Sequence, residues 1–203
     1  MVVHALPTPA ITGNKSTCED AMDSFYTKSN AGSTYSWNAV GGQIINGQNT
    51  DKIFVVWATA GNHTVSVTEA NSFGCTNIDS VVIVVNPLPQ PKISGKTTLC
   101  KNLGTVIYTS PVNSGSTVQW SPVGGNIVNH ITGSAVDTLF VTWTGGGKHT
   151  LRIWEKTVAG CIGMDSITVT VDSLITPFIT GNNTACVNDM MTYQTVLNDT
   201  THF

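Results

Sequence analysis

The chain repeats itself, and this internal repeat restricts the possible folds more than any single motif does. STYSWNAVGG at 33–42 aligns with STVQWSPVGG at 116–125, and DSVVIVV at 79–85 aligns with DSITVTV at 165–171. The offset between the copies is 83 residues at the first pair and 86 residues at the second, so only short insertions separate them. A period of this size is typical of tandem arrays in which each copy folds as one unit.

The edges of the repeat divide the chain into four parts. VVHALPTP at 2–9 matches VVNPLPQP at 84–91, which is the end of the first copy, and a third copy begins near Pro177. We therefore interpret the sequence as part of a longer array. The predicted parts are the tail of a preceding repeat at 1–6, a first repeat at 7–88, a second at 89–174 and the N-terminal fragment of a third at 175–203.

Within each copy, apolar residues alternate with polar ones, which predicts β-strands and no helix of any length. In 165–171, for example, Ile167, Val169 and Val171 share one face. About seven such runs per copy predict an all-β chain of tandem immunoglobulin-like antiparallel β-sandwiches. Short linkers that contain proline predict that the sandwiches form a semi-rigid rod. In the first copy the runs lie near 9–12, 24–28, 33–38, 43–46, 52–58, 63–69 and 79–85.

Composition restricts the partners. Only 10% of the 203 residues are charged and the net charge is −3, whereas nucleic acid requires clustered cations. Nucleic-acid binding is therefore not expected. The sequence has no run of about eighteen apolar residues, so membrane insertion is not expected either. Regularly spaced cysteines and low charge favour an oxidising, extracellular setting.

Two tryptophans recur in each copy, and both lie on predicted strands. A large ring at an inward position fills the gap between two packed sheets. We therefore expect core packing, and not an exposed sugar-stacking role, for Trp37, Trp57, Trp120 and Trp143.

The cysteines recur at matching places, the first in a polar stretch and the second in the turn before the last predicted strand. This pattern predicts one bridge within each copy that joins loops at one end of the sandwich, worth about 4 kcal/mol in the chain-entropy model. The predicted pairs are Cys18–Cys75 and Cys100–Cys161, with Cys186 unpaired because the third copy is cut.

The order of landmarks resembles a known family. It runs P-x-I-(T/S)-G and Cys, then S-T-x-x-W-x-x-V-G-G, V-x-W, G-x-H-T, G-C and D-S-x-x-V-x-V. This order is similar to the PKD-like, immunoglobulin-like tandem repeats of large surface adhesins in gliding Gram-negative bacteria, the SprB type, which leave the cell by type IX secretion. The resemblance covers essentially the whole chain, but WNAVGG and WSPVGG replace the family's usual W-x-F-G-D-G stretch. It implies an extracellular stalk or adhesive surface on the bacterial cell.

The same resemblance implies O-glycosylation. Many such bacteria attach glycans at Asp-Ser or Asp-Thr followed by a small or aliphatic residue. The alternative is that these dipeptides only begin strands, because their side chains bond the local backbone. The candidate positions are Ser80, Thr138, Ser166, Ser173 and Thr200.

The sequence contains no catalytic constellation. It has no G-x-S-x-G elbow, no phosphate loop and no C-x-x-C. His63 and His149 recur without an acid or nucleophile beside them, so we interpret them as corner residues. No cofactor is expected, with a single Ca²⁺ at a domain junction, bound by Asp20 or Asp172, as the alternative.

One position departs from the repeat. Trp154 aligns with Thr68 of the first copy, and the strand alternation turns it outward together with Arg152 and Lys156. An outward aromatic residue flanked by cations is typical of binding surfaces. The alternatives are that Arg152 merely stacks on the ring or that a neighbouring domain covers it.

These patterns favour a non-enzymatic repeat segment of a large bacterial surface adhesin or filament. Its expected partners are other repeats of the same polypeptide and surface polysaccharide or surface proteins. One alternative is a carbohydrate-binding accessory module of a secreted hydrolase. Another is a self-assembling fibre subunit, in which the partial third repeat pairs with another chain by strand addition.

Overall fold

The computed structural model describes residues 2–172 and 178–196, and within these residues every regular element is a β-strand. The first seven strands are β1 (Ser16–Cys18), β2 (Met22–Tyr26), β3 (Thr34–Val40), β4 (Gly42–Asn46), β5 (Lys52–Trp57), β6 (Gly61–Ala70) and β7 (Thr76–Asn86). The next seven are β8 (Thr98–Cys100), β9 (Thr105–Pro111), β10 (Thr117–Val123), β11 (Gly125–Ile131), β12 (Val136–Trp143), β13 (Gly147–Lys156) and β14 (Ile162–Asp172).

These strands form two sandwiches with the same topology. In the first, the sheet β1-β7-β6-β3 packs on the sheet β2-β5-β4, and in the second β8-β14-β13-β10 packs on β9-β12-β11. The pairs β1–β7 and β8–β14 are parallel, and the other pairs within the sandwiches are antiparallel. The predicted fold class, an all-β chain of immunoglobulin-like sandwiches with about seven strands each, is confirmed.

Each sandwich has its own core, and the two cores correspond at nine positions. Inward residues alternate along each strand, as on β13, where Leu151 and Ile153 are fully buried and Arg152 is exposed. The nine matching core pairs are Phe25/Tyr108, Trp37/Trp120, Ile53/Leu139, Val55/Val141, Trp57/Trp143, Val65/Leu151, Val67/Ile153, Ile83/Val169 and Val85/Val171.

The four tryptophans lie in these cores, and each indole N–H has an acceptor. Trp37 donates to the Thr50 carbonyl at 2.8 Å. Buried indole N–H groups need such partners, since an unpaired buried donor costs about 1–3 kcal/mol. The other three bonds run from Trp57 to Asp23 Oδ2 (3.2 Å), from Trp120 to Asp137 Oδ1 (2.7 Å) and from Trp143 to the Tyr108 hydroxyl (3.2 Å).

The Gly-Gly pair that follows the first Trp makes room for a histidine. Gly41 has φ +79°, a left-handed conformation, and a methyl group there would overlap the His63 ring. His63 stacks on Trp57 with the ring centroids 5.3 Å apart and donates to the Thr59 carbonyl at 2.8 Å. This packing explains why both copies carry V-G-G and G-x-H-T. The second sandwich repeats it with Gly124, Trp143, His149 and Gly145.

The strand predicted at 9–12 is wrong. Only Thr12 makes a bridge, to Tyr26, and the first strand lies instead at Ser16–Cys18. The segment contains Pro9, which has no N–H to give to a ladder. Its donors go to side chains instead, because Ala10 N–H bonds Thr27 Oγ1 at 3.1 Å and Ile11 N–H bonds Asp79 Oδ2 at 2.7 Å.

The predicted bridges Cys18–Cys75 and Cys100–Cys161 are also wrong. Cys18 pairs with Asn86 at the end of β7, whereas Cys75 lies just before its first residue. The 11 residues of β7 separate these positions by roughly 35 Å, whereas a disulfide spans Cα atoms at most about 7 Å apart. The strand β14, also of 11 residues, separates Cys100 from Cys161 in the same way.

The disulfide in the structure joins the two sandwiches. It links Cys18 to Cys161, whose Cα atoms lie 5.6 Å apart across a sequence separation of 143. Cys161 Sγ lies 3.9 Å from the carbonyl oxygen of Asn86, so the end of β7 positions both cysteines. In the described part of the chain, the cysteines outside this bridge are Cys75, Cys100 and Cys186.

Beyond the second sandwich, β15 (Phe178–Gly181) pairs antiparallel with β16 (Tyr193–Val196). These strands fall in the predicted fragment of a third repeat. Of that fragment, 175–177 and 197–203 lie outside the described residues, as does Met1.

Candidate functional site

The outer face of the second sandwich carries the predicted row Arg152, Trp154 and Lys156. All three lie on β13, a central strand of its sheet. Their side chains point away from the core because Leu151, Ile153 and Glu155, the alternate residues, are buried. Arg152 and Lys156 are exposed, and Trp154 is half-buried. One part of the Trp154 ring is therefore accessible to solvent, and the rest packs against the sheet.

Neighbouring strands extend this row into a patch. Trp154 lies between Gln119 of β10 and Met164 of β14. Met164 is 65% exposed, and Ile162, next to Lys156, is 56% exposed. Six residues line a shallow groove of about 640 Å³ beside the ring, namely Thr117, Val118, Gln119, Trp154, Lys156 and Ile162. We call Gln119, Arg152, Trp154, Lys156, Ile162 and Met164 the outer patch.

The outer patch offers the chemistry that a polyhydroxylated or weakly charged surface requires. The indole presents an apolar face with a polar edge, and the cations and the Gln119 amide supply hydrogen-bond donors. The first sandwich lacks this set, because Ser66, Thr68 and Ala70 occupy the places of Arg152, Trp154 and Lys156. The sequence identified the row, but it gave no signal for Gln119, Ile162 and Met164, which join it only through strand pairing.

The aspartates of two Asp-Ser pairs have a structural role that the sequence did not reveal. Asp79 Oδ2 accepts from the Ile11 N–H, and Asp165 Oδ2 accepts from the Ile93 N–H at 2.8 Å. Each aspartate thus holds the segment that leads into its sandwich against the last strand. In the sequence, this role is indicated only by the recurrence of an Ile and a later Asp in both copies, 68 residues apart in the first and 72 in the second.

The predicted glycosylation positions differ in accessibility. Ser80 and Ser166 are exposed on the outer faces, and Thr138 is half-buried. Asp137, which precedes Thr138, is fully buried and accepts from Trp120 and from His130 Nε2 at 2.6 Å. Ser173 and Thr200 lie outside the described residues.

The described residues hold no group of three or more His, Cys, Asp or Glu side chains arranged to bind a metal ion. The proposed calcium ligands Asp20 and Asp172 are exposed and lie in different sandwiches, at the β1–β2 turn and at the end of β14. His63 and His149 are committed to packing on the tryptophans. Residues 2–172 and 178–196 form no helix that could cross a membrane.

Comparisons with known proteins agree with this architecture. A protein-family model described as a PKD-like domain matches residues 4–84. No curated protein sequence gives a significant match. Among solved structures, the C-terminal 282-residue fragment of intimin, in complex with the intimin-binding domain of its translocated receptor, is similar with a TM-score of 0.51 and 15% identity, over 84% of this chain and 67% of that one.

Two further structures show lower similarity. The insect immune protein hemolin has a TM-score of 0.44 at 14% identity, over 83% of this chain and 47% of its own. The Bacteroides ovatus protein SGBP-B, from a mixed-linkage glucan utilization locus and in complex with a heptasaccharide, has a TM-score of 0.32 at 18% identity, over 84% and 46%. At 15% identity, the similarity to the intimin fragment concerns the fold alone.

Proposed function

We propose that this chain is a non-enzymatic segment of an extracellular bacterial surface adhesin or filament that projects from the cell and contacts surface polysaccharide through the outer patch. The observation that carries the proposal is the row Arg152, Trp154 and Lys156 on a central strand. Among the described residues, His63, His130 and His149 are engaged in packing and hydrogen bonding. The PKD-like match and the immunoglobulin-like fold support a modular, repeated role.

The tandem arrangement supports projection from a surface. We propose unit boundaries at 7–88 and 89–174, and a semi-rigid rod in which each sandwich follows the last through a short linker. The disulfide supports an extracellular location, because such bonds persist in oxidising compartments. The gliding-adhesin type and type IX secretion are part of the proposal through the resemblance of the repeat motifs.

Retention on insoluble polysaccharides tests the proposal. The full chain is incubated with cellulose, chitin and mannan particles, and the bound fraction is measured against protein concentration. We expect retention on at least one of them, weakened about tenfold or more by Trp154→Thr, since removal of a central aromatic anchor has effects of this size. Absence of retention on every probe, or retention unchanged by Trp154→Thr, would contradict the proposal.

The first sandwich provides matched variants. Ile78→Ser alters an exposed apolar residue at the place that Met164 occupies in the second sandwich, and it should leave retention unchanged. The triple change Ser66→Arg, Thr68→Trp and Ala70→Lys transfers the row to the first sandwich. We expect this variant, combined with Trp154→Thr, to recover retention.

O-glycosylation at Ser80 and Ser166 is a further part of the proposal. Ser166 lies directly opposite Arg152 on the neighbouring strand, so a glycan there would border the outer patch. The intact mass of material from the native host should exceed the mass of the polypeptide. A mass equal to that of the polypeptide would remove this part.

A further inference from the structure

The junction between the sandwiches is built from three contacts. Cys18, which lies beside the C-terminal end of β7 where the chain leaves the first sandwich, is bonded to Cys161. Cys161 lies in the β13–β14 turn, at the end of the second sandwich that faces the first. The linker residue Leu88 donates its N–H to Glu19 Oε2 at 3.1 Å. The linker then passes over β14, where a side chain on Gly163 would overlap the Pro89 carbonyl. One surface at the end of a sandwich therefore meets one surface at the start of the next.

The β6–β7 turn of the first sandwich corresponds to the β13–β14 turn that meets the linker in the second sandwich. It carries Cys75 at the place of Cys161, and Asn77 at the place of Gly163. The Asn77 side chain donates to the Pro7 carbonyl at 2.9 Å, and Pro7 corresponds to Pro89. Residues 4–7 thus pass over the start of β7 as 86–89 pass over the start of β14, but through a side-chain hydrogen bond where the second sandwich has a glycine in close contact.

Two more contacts fix that path. Asn71 of the turn donates to the Ala5 carbonyl at 2.9 Å, and His4 stacks on Phe73 with the ring centroids 3.7 Å apart. Cys75, half-buried beside this segment, stands where a preceding unit would place its first cysteine.

The second sandwich presents a similar surface at its end, although Lys101 replaces Glu19, so the side-chain contact that Glu19 makes with the linker has no counterpart there. Cys100 pairs with Asp172 on β14 as Cys18 pairs with Asn86 on β7. The next residue repeats the bond that closes the strand, because Lys101 N–H donates to the Asp172 carbonyl at 2.8 Å and Glu19 N–H to the Asn86 carbonyl at 2.9 Å. The Cys100 side chain is exposed.

We propose that Cys75 and Cys100 are docking cysteines for further copies of this repeat, so that the first cysteine of each unit bonds the second cysteine of the unit that follows. The proposed partner is another PKD-like sandwich. This choice of partner rests on the proposed function, in which the chain is part of a repeated array. Each bond forms when two thiols lose two protons and two electrons to an external disulfide, such as oxidised glutathione, which is reduced to two thiols.

An internal duplication tests this inference in the full chain. Residues 87–172 are duplicated after Asp172, which inserts one more unit through a junction like the natural one and adds a second Cys100 and a second Cys161. The chain then has seven cysteines. It is refolded in a glutathione redox buffer, denatured and alkylated, and its free thiols are counted by intact mass.

We expect three alkylated thiols, because Cys18 bonds the first Cys161 and the first Cys100 bonds the second Cys161. One alkylated thiol would mean that each unit bonds its own cysteines, and five would mean that the bridge does not propagate. Either count overturns the inference.

Two matched variants of the duplicated chain identify the pairing. Cys100→Ser in the first copy should raise the count to four, because the second Cys161 loses its partner. The same change in the second copy should lower it to two, because that cysteine is already free. The opposite order would mean bonding within a unit. Since the thiol count does not depend on polysaccharide retention, either proposal can fail without the other.

Discussion

The two sandwiches satisfy the same buried group in different ways. Trp57 and Trp143 occupy equivalent core positions, but the indole N–H of Trp57 meets the carboxylate of Asp23 and that of Trp143 meets the hydroxyl of Tyr108. Phe25 stands where Tyr108 does, and both rings lie edge-on to their tryptophan. The hydrogen-bond requirement is therefore fixed by the fold, while the acceptor is free to change.

A second pair of buried polar contacts joins equivalent residues in the two sandwiches, although the donor atoms differ. Glu69 and Glu155, each 1% exposed, accept from Asn30 Nδ2 at 2.8 Å and from the Asn113 N–H at 2.6 Å. These bonds hold the loop before β3 and the loop before β10, respectively. The outer faces differ most, with Thr68 in one sandwich and Trp154 in the other. Features that define topology are thus kept, and features on the solvent side vary.

The largest expected effect comes from a side chain at the glycine that packs against the histidine in each sandwich, Gly41 against His63 and Gly124 against His149. Gly41→Ala and Gly124→Ala should each lower the free energy of unfolding by about 4 kcal/mol, since a left-handed alanine costs about 1–2 kcal/mol and overpacking against His63 or His149 adds about 1–3. Chemical denaturation of the full chain measures this loss.

Glycines with the same backbone but open space are the control. Gly74 and Gly160 have φ +81° and +89°, and nothing lies within 4 Å of a methyl group added there. Their alanine variants should lose only the backbone cost of about 1–2 kcal/mol. Equal losses at Gly41 and Gly74 would show that the histidine contact is unimportant.

The second effect compares the two acceptors of the core tryptophans, the Asp23 carboxylate and the Tyr108 hydroxyl. Trp57→Phe should destabilise more than Trp143→Phe by about 1 kcal/mol, because it removes a donor from a buried carboxylate, whereas Tyr108 keeps its bond to the Lys96 carbonyl at 2.9 Å. Hydrogen exchange of amides in each core reports the loss in each sandwich separately. A larger loss in the second sandwich would reverse the interpretation.

The third effect is a loss of stability at alkaline pH that we expect only in the second sandwich. Burial raises the pKa of the Tyr108 hydroxyl above its ordinary value of 10.0, and the hydrogen bond from Trp143 opposes part of this. Because the folded state favours the neutral phenol, this contribution is complete below the unfolded pKa and is lost as the pH rises through the folded value. Amides of the second core should therefore lose extra protection above about pH 10.

Tyr108→Phe is the matched variant. It should cost about 1 kcal/mol at neutral pH through the lost hydrogen bonds and should abolish the extra pH dependence. The first sandwich, with Phe25 at this position, should not show that dependence. The same alkaline loss in both cores, or its persistence in Tyr108→Phe, would contradict the assignment.

The smallest expected effect is at the outer patch. Trp154→Thr replaces a half-buried surface residue with its counterpart from the first sandwich, and it should change the free energy of unfolding by about 0.5 kcal/mol or less. Thermal unfolding checks this, and a larger change would mean that the ring supports the sheet.

Local patterns in the sequence were sufficient to predict the fold class. Alternation along 165–171 identifies inward residues without knowledge of their partners. The cysteine pairing could not be predicted in this way, because it depends on the parallel register that puts Cys18 beside Asn86 and on how one sandwich meets the next. The three-residue strand β1 carries no alternation long enough to show that register. The outer patch was predicted only along β13, since its other members come from neighbouring strands.

The bridge between Cys18 and Cys161 also determines how the chain would respond to tension. Force applied to the two ends of the chain would pass from Cys18 to Cys161 through the disulfide. The chain between these cysteines, a sequence separation of 143 that contains most of both cores, would therefore carry no force. Reduction of this one bond would place that length in series, where it could extend by up to about 480 Å. The redox state of a single bond would thus set the extensibility of the pair of sandwiches.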